Sequence, residues 1–400
     1  MLNVTDSAKF DETITKDQYR HLAPYNLTSL GPSDEIRIAI NQQDVYTLSW
    51  RSSLLLEGRF EKIKNSTTGA SSTAKLSNNA FAFLFDEIRY ELGGTSCDAS
   101  RNAGLVSTMI TYLTSDDAEA KHLAVSGWGE PIIDSDGNFE AIIPLNRILG
   151  LFMDFRRIIL NTKQELVLIR ARNDADMLED GAATDKIKIH LNKVFWRMPF
   201  IEVATQPRLK LLNVVQQNMG LTIPFRSWQL YEYPELPQTT KHSWTVKTSS
   251  QLETPRYVII AFQTDRRNNI TKSASQFDHC NIRSLKLYLN AESYPYENLN
   301  VNFAKNAFAQ VYDMYAKFAS SFFSSDRSQP LLSMTDFKTK APLFVIDCSK
   351  QNEQMKSSQV DMRLELETHD KIPEKTAMLC LIVHDSVLQY SPLTNIVKKM

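Results

Sequence analysis

The chain has 400 residues but only four cysteines, Cys97, Cys280, Cys348 and Cys380, and no two stand at CxxC spacing. That absence argues against a zinc ribbon or a thioredoxin-like redox centre. Scattered single cysteines in a long chain read as reduced, buried small hydrophobes, which points to assembly in a reducing compartment. The seven histidines show no HxH or HxxxH pair, so no metal centre is expected. Neither a P-loop nor GxGxxG occurs: Gly93-Gly94 lacks the following Lys-Ser/Thr, and Gly127-Trp128-Gly129 lacks the third glycine and reads as a tight turn. An excess of one charge is also missing. The formal net charge of −1 argues against a strongly basic nucleic-acid binder and leaves copies free to pack side by side. Apolar runs such as Ile148–Met153 and Met378–Val383 fall far short of the ~18–20 residues of a membrane-spanning helix. The first twenty residues have no apolar core, so no signal peptide is expected, and the sequon Asn26-Leu27-Thr28 carries no weight.

The chain is 42% hydrophobic and 23% charged, with 20 Phe, 14 Tyr and 5 Trp. This is the composition of an ordinary globular protein, long enough for two domains that each bury a core. Residues 1–33 have little periodicity, end in Gly31-Pro32-Ser33 and read as a polar arm. Strands are expected at Ile36–Ile40, Val45–Trp50 and Leu54–Phe60, with a surface loop at Asn65–Ser72. Phe81–Leu92 reads as a buried strand with a helical option in its first turn, Leu105–Leu113 as a helix and Pro144–Phe155 as a short apolar helix. Arg156–Leu160 and Glu165–Arg172 read as a hairpin about Asn161-Thr162, and Lys186–Leu191 as a strand.

A second series begins near Trp196. Tyr257–Phe262 is almost wholly apolar, as a central strand buried on both faces would be. Asn302–Phe318 carries an aromatic stripe at helical spacing, and a core-facing role outweighs a ligand site there. Strands close the chain at Leu343–Asp347, Met362–Leu366 and Thr376–Val383. About sixteen short strands, with helices only in connections, argue for sandwiches rather than βαβ units.

Candidate sites are few. Asp134–Asn138 resembles a calcium loop, but the twelfth position holds Leu145 rather than Glu, so a turn is expected. His279-Cys280 and His384-Asp385 could be read as nucleophile and base. Neighbours in a strand point to opposite faces, so a loop-to-strand entry with a buried Cys280 is the better reading. Asp265-Arg266-Arg267 reads as a solvated turn or an intersubunit ion pair. Tyr231, Tyr233, Tyr294 and Tyr296 would serve a second reading, a non-catalytic sandwich that binds glycans or other partners. No catalytic, cofactor-binding or metal residue is assigned, and the chain is not expected to be an enzyme.

One internal echo is present. Ile88–Gly94 is an alternating strand followed by an irregular loop and an aromatic-aliphatic helix; Leu285–Ala291 repeats the pattern about half a chain later. With this echo, several segments resemble the double-jelly-roll major capsid proteins. They are Ile36–Ile40 with the strands after it, NNAFAFLFDEIRYELGG (78–94), IIPLNRILGLF (142–152), PRYVIIAFQTDR (255–266) and LKLYLNAESYPY (285–296). The resemblance spans roughly residues 33–392 and is nearest to capsid-like proteins of Polinton/Maverick elements and adintoviruses. Order and spacing carry it, not any single motif.

The resemblance implies an all-β fold of two tandem eight-stranded jelly-roll sandwiches with short helices in connecting loops. The expected divisions are an arm at 1–33, a first jelly roll at 34–198 and a second at 199–400. It further implies a structural protein without cofactor. Three chains would form a pseudo-hexagonal homotrimeric capsomer of an icosahedral virion shell. That shell would be completed by penton and minor capsid proteins and enclose double-stranded DNA without binding it specifically. A host-domesticated relative of such a gene would fit the glycan-binding alternative.

Overall fold

The computed structural model describes residues 13–26, 29–41, 46–63, 75–129, 133–134, 136–179, 186–217, 220–246, 255–290, 292–325, 329–350 and 361–400. The loop expected at Asn65–Ser72 lies outside these residues. Two β-sandwiches follow one another, and each is built from two antiparallel sheets of the same strand order. In the first, Ile14–Leu22, Lys186–Val203, Ser53–Ile63 and Asn138–Pro144 lie side by side, facing a sheet of Glu35–Ile40, Gln164–Arg170, Phe85–Leu92 and Thr95–Arg101. In the second, Leu221–Tyr233, Thr376–Ser391, Pro255–Thr264 and Phe344–Asp347 face Lys241–Val246, Met362–Thr368, Ile282–Leu289 and Glu292–Tyr294. Numbered along the chain, both sandwiches pair first, eighth, third and sixth strands in one sheet and second, seventh, fourth and fifth in the other. That connectivity is the jelly roll.

The period-2 pattern explains the layers. Glu35–Ile40 buries Ile36, Ile38 and Ile40 and turns Arg37 outward, as a half-buried strand must. Phe85–Leu92 and Ile282–Leu289 occupy the same place in their sandwiches. They lie 197 residues apart at both ends and bury the same positions, the first, fourth, sixth and eighth. The echo in the sequence is therefore a structural repeat. Each copy is followed by a helix between its fifth and sixth strands, Ala103–Thr114 and Ala309–Phe323. All twelve residues of the first helix are buried. Tyr257–Phe262 is the expected central strand, fully buried between Thr376–Ser391 and Phe344–Asp347.

Four expectations change. Ile14–Leu22, inside the stretch read as an arm, is a strand paired along Lys186–Val203. It buries none of its residues, so it shows no alternation. The expected boundary at 198/199 falls inside Lys186–Val203, and the connection that follows holds a helix at Thr205–Gln216. The hairpin about Asn161 does not form: Ile159 bridges Thr47, whereas Gln164–Arg170 pairs with Glu35–Ile40 and Phe85–Leu92. The helix expected over 302–318 begins at Ala309. Phe303 and Phe308 are buried and stacked 5.1 Å apart, but Phe303 lies in a turn closed by the Asn302–Ala307 bridge and Phe308 just after it, at the helix cap.

The two sandwiches share one continuous core. Polar contacts then fix their relation. Asp154, at the end of the short helix Gly150–Asp154, accepts from Arg226 N and Nε at 2.8 Å each and from Nη2 at 2.5 Å. The same guanidinium lies 3.5 Å over the Phe322 ring and donates to the Phe322 carbonyl. Trp228 Nε1 donates to Ile148 O at 2.8 Å, Leu160 N to Tyr390 Oη at 3.1 Å, and Tyr315 Oη to Tyr112 O at 2.8 Å. A Cβ on Gly150 would stand 1.7 Å from Arg226 O, so glycine is required for this approach.

Two outcomes are expected in urea unfolding. Arg226→Ala leaves Asp154 largely buried without its partner and should cost about 3 kcal/mol, with most of that loss absent in an Asp154→Ala background. Additive single losses would show that the pair is not coupled. Gly150→Ala should cost about 1–3 kcal/mol by overpacking the junction, and an unchanged midpoint would refute the close approach.

Candidate assembly site

The junction just described holds further buried polar groups. Asp98, in Thr95–Arg101 of the first sandwich, accepts from Leu151 N at 2.9 Å and from Ser227 Oγ of the second sandwich at 3.2 Å. Burial pushes its carboxyl above the usual carboxylate range, against the pull of those donors. At the other end of the contact, Asp176 accepts from Asn268 N at 2.5 Å, Asn173 Nδ2 donates to Asn268 Oδ1 at 2.9 Å, and Arg267 Nη2 donates to Asn102 Oδ1 at 3.0 Å. A polar cleft of ≈ 340 Å³ opens there, with Asp86, Asn102, Asp176 and Arg267 among its walls. The arrangement clamps the two sandwiches together; no sequence motif marked it, because the partners that meet across it lie 72 to 230 positions apart along the chain.

The sequence candidates fall elsewhere. The His279 ring stacks on Phe303 at 4.6 Å, and its Nδ1 accepts from Asn281 N at 3.0 Å. Cys280 sits just before Ile282–Leu289 with its sulfur 3.8 Å from Thr264 Oγ1. Burial pushes its thiol up to about 12, so it is no thiolate at neutral pH. Cys97 is likewise raised to about 12, and burial also raises Cys348 and Cys380; all four cysteines are free thiols. Asp385 pairs with Arg256 at 3.1 Å, while His384 is buried in the core of Thr376–Ser391.

Asp265-Arg266-Arg267 is a turn at the end of Pro255–Thr264, with Arg267 exposed and its neighbours half-buried. Arg266 holds Asp278 in a two-pronged contact at 2.9 and 2.7 Å, and Arg267 pairs with Glu232. Asp134 caps its own turn, accepting from Asp136 N and Asn138 N at 2.9 and 2.7 Å. Among the described residues no group of three His, Cys, Asp or Glu could hold a metal ion. Tyr233 packs on Trp244, Tyr231 bonds Gln229, and Tyr294 bonds Glu292; Tyr296 alone of the four tyrosines stands clear, at 91% exposed. Nothing here gathers aromatics into a sugar platform.

His384 makes the second sandwich acid-sensitive. Burial holds its imidazole down to about 4, against an ordinary 6.5. The neutral form is the one the fold accepts, so its contribution is full above pH 6.5 and is lost as pH falls toward 4. At about 1.4 kcal/mol per pH unit this amounts to about 3 kcal/mol. His384→Gln should flatten that part of the stability curve in denaturant titrations from pH 7 to 4, and parallel curves would refute it.

No curated protein sequence matches this chain. Solved structures do. The structure of the Sputnik virophage matches with a TM-score of 0.66 at 10% identity, covering 100% of this chain and 91% of that one. PBCV-1 VP54, fitted into a reconstruction of Sputnik, matches at 0.64 and 10%, covering 99% and 98%. The mavirus major capsid protein matches at 0.59 and 10%, covering 100% and 92%. At such identities the likeness is one of fold. A sequence-family profile described as a double jelly roll-like domain matches residues 74–388, most of the chain. With both eight-stranded sandwiches in place and their strand orders equal, the chain belongs to the double jelly roll-like domain family.

Proposed function

We propose that this chain is the major capsid protein of a virus or virus-like element of the Polinton/Maverick and adintovirus kind, a structural subunit and not an enzyme. The observation that carries the proposal is the repeat itself: two sandwiches of one topology fused rigidly side by side. Three such chains about a threefold axis present six similar sandwiches, which is the geometry of a pseudo-hexagonal tile. Closed symmetric assembly reuses one surface many times, and near-neutral flanks allow tiles to approach. The fold shared with the mavirus major capsid protein supports the reading. So does the balance of ion pairs on the outer face of the first sandwich, where Arg37 meets Glu165 at 3.0 Å and Arg89 meets Glu87 and Glu91 at 3.0 and 2.9 Å.

On this reading the shell is icosahedral and is completed by penton and minor capsid proteins. It encloses double-stranded DNA without reading its sequence, and assembles where thiols stay reduced. No residue is assigned a catalytic, cofactor or metal role. Purified protein is expected to sediment as a homotrimer and to form shells or hexagonal sheets under negative-stain electron microscopy. A species that stays monomeric at high concentration, with no ordered particles, would overturn the proposal.

A further inference from the structure

One end of the molecule carries exposed aliphatic side chains that neither sandwich uses. The helix Thr205–Gln216, which links the two sandwiches, has twelve residues and buries none of them. Leu209 and Leu212 are 56% and 44% exposed, and Leu211, Val214 and Val215 are only half-buried. A helix this short is marginal in water without a packed face. Its neighbours share the character. Ala204 N donates to Thr13 O at 3.0 Å, which brings the exposed Ile14 to the start of the helix. After the helix, Leu221 pairs with Tyr390, and Tyr390 pairs in turn with Val397 of the strand Ile396–Lys399. There Leu393, Ile396 and Met400 are exposed at 54%, 54% and 73%.

The charges at this end are mostly of one sign: Glu202, just before the helix, is paired to Lys16 at 3.3 Å, and the flanking segments are cationic. Residues 204–222 contain Arg208 and Lys210 and no Asp or Glu; residues 386–400 contain Lys398 and Lys399 and again none. Arg208, Lys210 and Lys398 are exposed. A chain of net charge −1 thus carries two acid-free, cationic, aliphatic segments joined through one strand.

We infer that this end docks onto an anionic lipid surface, with Leu209, Leu212, Ile396 and Met400 entering the headgroup boundary and the cations meeting lipid phosphates and carboxylates. A basic segment with aliphatic residues beside its charges is the pattern that lies in a membrane interface. A second copy of the same end fits poorly, since cation would face cation. Nucleic acid fits poorly as well. No aromatic side chain lies within 204–222, so there is nothing for a base to stack on, and phosphate contact alone would leave the leucines in water. No helix among the described residues is long and apolar enough to cross a membrane, so the contact is interfacial. The inference concerns this surface alone and does not require that the chain build a shell.

The test is flotation of the purified full-length chain with phosphatidylserine-containing vesicles and with pure phosphatidylcholine vesicles. Binding to the first and not the second is expected. It should weaken on the order of tenfold in Leu209→Ser/Leu212→Ser and in Arg208→Gln/Lys210→Gln, and also in high salt. Circular dichroism melting and sedimentation velocity on the same variants should match the parent protein. Failure to float, or flotation equal in parent and variants, overturns the inference. So does a loss of oligomers in the leucine variant, which would assign the face to a second copy. A duplex-DNA mobility shift abolished by the same substitutions would assign it to nucleic acid instead. Particle formation is scored separately by microscopy, so shells without flotation would sink this inference and leave the capsid proposal standing.

Discussion

The carbonyl of Arg226 occupies the space that a side chain at residue 150 would fill, and the relation between the two sandwiches depends on that approach. Neither sheet alone could define it. The two sandwiches share one apolar core, and the hydrophobic effect that drives its burial is non-directional. The short helix Gly150–Asp154 brings a glycine and a carboxylate to one point, and Arg226 answers both: its backbone meets the glycine and its guanidinium meets Asp154. Phe322, from the helix between fifth and sixth strands of the second sandwich, lies under that guanidinium. Three separate elements thus meet at one residue.

The repeat has diverged where the copies meet their surroundings. Core-facing positions keep one pattern, as the matched burial of Phe85–Leu92 and Ile282–Leu289 shows. Outer faces differ. In the first sandwich Glu87, Glu91 and Glu165 are largely covered and paired to Arg89, Arg37 and Lys163. In the second, Lys241–Glu367 and Arg363–Glu365 are open to solvent. Exposed pairs contribute little to stability and can exchange partners on contact with another surface. Packing constrains both cores alike, whereas the outer faces are held only by ion pairs, which are free to differ between the copies.

How much of this was legible depended on burial. Tyr257–Phe262 came through as an unbroken apolar run, and the helix Ala103–Thr114 and the repeat at a spacing of 197 residues came through their apolar spacing. Ile14–Leu22 and Thr205–Gln216 did not: the first shows no buried residue and the second none along twelve positions, so periodicity had nothing to report. The aromatic stripe near 302–318 misled for a related reason. Phe303 and Phe308 belong to the same core as Phe318, but reach it from a turn and from the helix cap. The junction itself was invisible, since Asp98, Asp154, Arg226 and Ser227 look like ordinary surface residues until tertiary structure buries them.

That burial is also why the junction is polar. Removing a carboxylate and a guanidinium from water is costly, and an apolar pair of equal volume would often hold two bodies together as well or better. What an apolar pair would not supply is direction. Asp154 accepts three N–H bonds from Arg226, two of them from the guanidinium, a geometry that fails when the sandwiches rotate by more than a little. Asp98 adds a second fixed point through Ser227, even though burial works against its charge. Two directional contacts from neighbouring residues of one strand fix the angle at the junction, and on the proposed capsid reading an angle held constant from copy to copy is what a closed shell requires of its tiles. Stability could have been had more cheaply; a reproducible angle could not.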